Sequence, residues 1–259
     1  MPPSKRKEWL QIGSGQGYFH RVHHPLQCLI FIAPLLLIYQ VGSVFYARPA
    51  GAAGPIHVIA FTLMLDFFRI FGAVGNYLPL LTVIAILLAW HVARHDKWDF
   101  DPWLYFGMAM ESIGWAIPIY VLSLAVVRHS AAAWNFPAAA TPHALPWQTQ
   151  AVLSVGAGIY EELLFRLVGI TLLNIILVDL LKIKTEHAIP IIIVVSAVVF
   201  AAYHFLGDTP MSAPYFLFLT LFGIYAAGIF IFRGFGIVVV MHALYDLIVV
   251  AMTLIYAHR

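Results

Sequence analysis

Three short clusters of ionisable residues stand inside otherwise apolar sequence, and together they carry the parts needed to hydrolyse a peptide bond. The first is Gly156-Ala-Gly-Ile-Tyr-Glu-Glu-Leu-Leu-Phe-Arg166. A charge near the bilayer centre costs at least a few kcal/mol, so Glu161, Glu162 and Arg166 are expected to face a bundle interior or a wet cavity. On a helix, Glu162 and Arg166 form an i,i+4 acid-before-base pair, whereas Glu161 is turned about 100° away and lacks such a partner. A purely structural pair needs only one Glu, which leaves Glu161 free for chemistry. The second cluster, Phe200-Ala-Ala-Tyr-His204, ends an apolar stretch before Gly207-Asp-Thr-Pro210. The third, His242-Ala-Leu-Tyr-Asp246, sets imidazole and carboxylate on one helix face. Amide hydrolysis requires a base for water, donors for the oxyanion and a proton for the leaving amine. Glu with His meets the first and third needs, and a second His can donate to the oxyanion.

The elements that must position these residues are membrane helices. The chain has 259 residues, 62% hydrophobic and 10% charged, with a mean hydropathy of +0.89; soluble domains are usually about 25% charged. The fold class is therefore all-α, a polytopic transmembrane helical bundle. Apolar stretches at 27–46, 57–75, 78–94, 103–127, 148–178, 188–206, 214–232 and 235–256 lie near the about 20 residues needed to span, which predicts seven or eight spans. Residues 1–26 form a polar, basic N-terminal segment containing Lys5, Arg6, Lys7 and Arg21. It is too long and polar for the n-region of a cleaved signal peptide. The paired His23 and His24 read as interfacial side chains rather than metal ligands, and the single Cys28 as an apolar filler.

With 57–75 interfacial or re-entrant rather than spanning, the larger basic groups (the N-terminus, Arg94 with Lys97, Lys182 with Lys184, and Arg233) fall on one side. The positive-inside rule then places the N-terminus in the cytoplasm. The net charge of +2 comes from dispersed residues, so nucleic acid is not an expected partner. Residues 131–146, rich in Ala and Pro, form the longest linker. On straight helices entered from the cytoplasm, Glu161 and His242 lie about 10 Å from the inner face but His204 about 24 Å. A break or strong tilt near Gly207, Pro210 and Pro214 is expected to close that gap.

The ordered trio Glu161-Glu162-x-x-x-Arg166, Phe200-x-x-x-His204 and His242-x-x-x-Asp246 resembles the CAAX protease and bacteriocin-processing (CPBP, or Abi) family of intramembrane endopeptidases, which includes the type II CAAX prenyl endopeptidases. The resemblance covers residues 148–256, read as a catalytic helical core, and leaves the helices of 27–147 without a matching motif. It implies that Glu161 and His204 activate the water, that His242 and residue 246 form the oxyanion site, and that Glu162 and Arg166 support them. No metal or cofactor is implied. The implied substrate is a membrane-anchored or lipidated protein or peptide, met at the lipid bilayer, and the implied location is the cytoplasmic membrane of a prokaryote. The prenyl endopeptidases carry Asn where this chain has Asp246, so Asp246 is read as orienting His242.

Two other classes of function compete. A zinc protease could draw ligands from Glu161, Glu162, His204 and His242, although no His-Glu-x-x-His helix is present. A transporter or scaffold could use Glu111, alone in the 103–127 stretch, or Asp66 with Arg69. Glu111 is expected instead to be hydrogen-bonded within the bundle.

Overall fold

The computed structural model describes residues 17–48, 54–129, 145–206 and 210–257, all of them helix or connection, with no strand among them. Lys5, Arg6 and Lys7, the 131–144 part of the linker, and Gly207 lie outside this description. We number the helices α1 (Tyr18–Arg21), α2 (Pro25–Tyr46), α3 (Ile59–Ile70), α4 (Leu78–Arg94), α5 (Pro102–His129), α6 (Trp147–Leu180), α7 (Thr185–Tyr203), α8 (Ala213–Arg233) and α9 (Phe235–Ala257). Six of them (α2 and α5 to α9) are long and apolar enough to cross a membrane, and α4 adds a shorter apolar helix of 17 residues. The molecule is an integral, multi-pass membrane protein, and large apolar side chains such as Phe45, Ile117 and Val199 face outward from the bundle. Helix α3 has only 12 residues, about 18 Å at 1.5 Å per residue, against a hydrocarbon core of about 30 Å.

Helices α6 and α9 pack together at the centre, and small residues decide how closely. A Cβ on Gly158 would stand 2.8 Å from both the Val239 carbonyl oxygen and the Ala243 backbone nitrogen, so only glycine allows this approach. The same device brings α7 against α8, where a Cβ on Gly223 would meet Ala197 at 2.8 Å. Along the other side of α6, Gly42 packs on Val152 and Gly156 on the Tyr39 ring, which aligns α2 with the helix that carries the first cluster.

The remaining intramembrane charges are satisfied structurally. Glu111 accepts from Arg233 Nη2 at 2.6 Å, from Arg233 Nε, from the Tyr18 hydroxyl at 2.7 Å and from Trp115 Nε1 at 3.0 Å. It ties α1, α5 and α8 together, as expected of a residue bonded within the bundle. Asp66 pairs with Arg69 at 2.6 Å on the exposed face of α3. At the start of the chain, Arg21 bonds Asp101 at 2.6 Å and Asp99 at 2.9 Å. That guanidinium holds the Asp101 carboxyl below its ordinary range. His23 bonds the Phe232 carbonyl and His24 bonds His20, while Cys28 is buried against the Val22 carbonyl.

Candidate active site

The first cluster ends the regular part of α6. Its α-helical turns run from Trp147 to Glu162, and the next eight residues, Leu163–Ile170, are π-helical. Such widened turns are rare and concentrate at functional sites. Past this point the rod continues to Leu180, for 34 residues in all. Lys182, with φ of 58°, turns the chain, and α7 returns alongside. Glu161 stands nineteen positions before Leu180 and His204 nineteen positions after Thr185, and the two side chains meet across this hairpin. Helix α7 runs unbroken to Tyr203 with His204 as its C-cap, so it stops just before the region where a break was expected. Helix α6, at 34 residues, is well over the about 20 residues needed to span.

All six predicted residues come together, in two layers. Glu161, Glu162, Arg166 and His242 form a buried floor, with Glu162 and Arg166 fully inaccessible. His204 and Asp246 form the rim, their side chains 20% and 28% exposed. In the floor, Glu162 is hydrogen-bonded to His242 Nδ1 through one oxygen at 2.7 Å and forms an ion pair with Arg166 through the other, 3.1 Å from Nε. The Arg166 guanidinium also lies 4.3 Å from the centroid of the Phe200 ring, a cation–π contact that offsets part of its desolvation. Asp246 stands 3.7 Å from His242 Nε2, beyond hydrogen-bond distance. The contact that orients His242 in this arrangement is thus made by Glu162.

The rim holds the reactive geometry. His204 Nδ1 lies 2.8 Å from the Phe200 carbonyl oxygen. A carbonyl only accepts, so Nδ1 carries a proton; in its neutral form His204 then presents a lone pair at Nε2. That lone pair faces Glu161 Oε2 at 3.7 Å. Oε2 is buried and has no hydrogen-bond partner in the protein. Its sister oxygen Oε1 faces the Tyr203 hydroxyl at 3.3 Å, and that hydroxyl is 2.6 Å from the backbone nitrogen of Ala60 at the start of α3.

Tyr203 and α3 are the parts of the site that the motifs do not name. Tyr203 could have been found, because it lies three residues after Phe200 and so shares a helix face with it. Ala60 contributes only a backbone N–H and carries no sequence signal. Among the described residues, no group of three His, Cys, Asp or Glu side chains is placed to hold a metal ion. Glu162 and His242 engage each other directly, at 2.7 Å.

Residues 143–248 match the model of the family described as type II CAAX prenyl endopeptidase Rce1-like. The matched span holds all six residues of the two layers. No curated protein and no solved structure matches the chain. Helical architecture, three ordered motifs that meet in space and the family match agree: residues 143–248 are similar to the type II CAAX prenyl endopeptidase Rce1-like family, which supports a place for this part of the chain among the CAAX proteases.

Proposed function

We propose that the chain cleaves a peptide bond in a prenylated or otherwise membrane-anchored protein, using a water molecule held by Glu161 and His204. One observation carries this reading. Buried, unpartnered Glu161 Oε2 and the Nε2 lone pair of neutral His204, on the half-open rim, face each other at 3.7 Å. Their complement is a group with two protons to give, and water is the smallest such group; buried waters typically serve polar atoms left in this state.

The steps follow from the positions. The water oxygen attacks the scissile carbonyl carbon while one of its protons passes to Glu161. His204, locked by the Phe200 carbonyl, keeps the water aligned. The oxyanion forms beside His242, whose Nδ1–H is committed to Glu162; in its doubly protonated form His242 offers Nε2–H to the oxyanion. Collapse of the tetrahedral adduct breaks the C–N bond, and the amine leaves with the proton held by Glu161. Asp246 lines the same rim, and its negative charge supports the doubly protonated imidazole. The distribution of basic residues supports a cytoplasmic N-terminus. A prokaryotic inner membrane suits the same reading.

The test is cleavage of a farnesylated peptide ending in a CAAX tetrapeptide, with purified chain in lipid nanodiscs. Release of the C-terminal tripeptide is expected, at a rate unchanged by a strong chelator. Loss of turnover in chelator, restored by stoichiometric zinc, would transfer the reaction to the metalloprotease reading.

Asp246→Asn is a second measurement on the same assay. Since Glu162 already holds the imidazole, Asn is expected to retain turnover within about tenfold, its amide donating at the rim. Asp246→Ala, which leaves a gap there and supplies no polar group at the rim, should fall further than the Asn variant. An Asn variant as poor as the Ala variant would show that the carboxylate charge itself is required.

A further inference from the structure

The reaction described above uses one oxygen of Glu161, and the other has its own partner. Ala60 is the second residue of α3, so its N–H has no acceptor within that helix. It lies 2.6 Å from the Tyr203 hydroxyl oxygen. A backbone N–H can only donate, so Tyr203 accepts there, and its single proton is directed to the remaining partner, Glu161 Oε1 at 3.3 Å. The relay therefore runs one way, from the Ala60 N–H through the Tyr203 O–H to Glu161.

Helix α3 is docked by more than this bond. Phe61, 1% exposed, packs against Tyr39 and Tyr160 with ring centroids 5.7 and 5.1 Å away. His57 Nδ1 meets the Tyr39 hydroxyl at 3.0 Å. On the opposite side, Phe67 and Ile70 are exposed. A helix too short to span thus keeps one face on the site and turns the other to the surroundings of the bundle.

We infer that Tyr203 is a positioning residue for hydrolysis: it anchors Glu161 Oε1 so that Oε2 alone is turned to His204, and it does so while α3 is docked. This rests on Glu161 acting as the base. Tyr203 need not touch the substrate. Its loss would let the Glu161 carboxylate rotate and leave two buried groups, the Ala60 N–H and Oε1, without partners.

The experiment compares Tyr203→Phe with the natural chain in nanodiscs, using the farnesylated CAAX peptide and residue-resolved hydrogen–deuterium exchange. The expected results are a kcat about tenfold lower, in line with the loss of one buried hydrogen bond, a KM changed by less than about twofold, and exchange of the Ala60 amide at least about tenfold faster. An unchanged kcat, a loss carried wholly by KM, or an Ala60 amide as protected as before would each overturn the inference.

If the Phe variant does not accumulate in membranes, 3,5-difluorotyrosine at position 203 keeps the ring and hydroxyl while making the oxygen a weaker acceptor and a stronger donor. Faster Ala60 exchange with kcat retained then supports the relay, and unchanged exchange overturns it. Failure of the underlying reading is seen separately: turnover retained by Glu161→Gln removes the base, whereas an inactive Glu161→Gln beside a fully active Tyr203→Phe removes only the relay.

Discussion

Glu161→Gln is expected to lower turnover of a prenylated CAAX peptide by about 10³-fold while the protein stays folded and its thermal stability holds or rises. The rate effect follows from removing the general base, a role that contributes about 10²- to 10⁴-fold. The stability effect follows from the same geometry. In the natural chain the buried Glu161 Oε2 and the lone pair of neutral His204 Nε2 face each other at 3.7 Å. Gln keeps a carbonyl oxygen for the Tyr203 hydroxyl and turns an NH₂ donor toward His204 Nε2, so a mismatch becomes a possible hydrogen bond. A residue kept only for structure would give the opposite pattern, with stability lost and activity following it. More than about a tenth of natural turnover in the Gln variant, with the protein intact, would end the case for Glu161 as base.

The second large effect concerns the floor. Glu162→Ala leaves the Arg166 guanidinium, fully buried, without its carboxylate. Removing one partner of a buried ion pair costs about 3–5 kcal/mol. It also takes away the acceptor 2.7 Å from His242 Nδ1, so turnover should fall with stability. The double variant Glu162→Met with Arg166→Leu separates the two consequences. Apolar replacements of a buried pair are often neutral or stabilising, so thermal stability should return to near the natural level. Activity should stay about 10²-fold down, because His242 remains unheld. Turnover recovered along with stability would mean that Glu162 serves the fold alone, and a double variant as unstable as the single would show that Arg166 is not the source of the cost.

The site was legible in sequence to the extent that its residues are expensive where they stand. Glu161, Glu162, Arg166, His204, His242 and Asp246 could be picked out because charge in apolar helices needs a partner, and their spacing told which of them share a face. What spacing within one helix cannot tell is which groups meet across helices. Glu162 holds both Arg166 and His242, a link between α6 and α9 that depends on Gly158 admitting the Val239–Ala243 backbone. Charge and length in 57–75 favoured an interfacial or re-entrant segment, and the helix there has 12 residues, but its contact with the site was not readable, since Ala60 acts through its backbone. The long α6 was hidden for a different reason: hydropathy marks where a helix could cross and says little of how far it runs beyond.

The equal arms of the α6–α7 hairpin make the loop at 181–184 the jaw pivot of a caliper. Adding one residue to the α7 arm alone would turn His204 about 100° away from Glu161. Adding seven to that arm nearly restores its facing, with a drift of about 20°, but moves it about 10 Å along the axis. Only a matching extension of α6 would bring Glu161 and His204 level again. Length changes in this hairpin are therefore tolerable as coordinated pairs, and the pivot itself, remote from the chemistry, is the place where a tag or a fused domain can enter without disturbing the register of the arms.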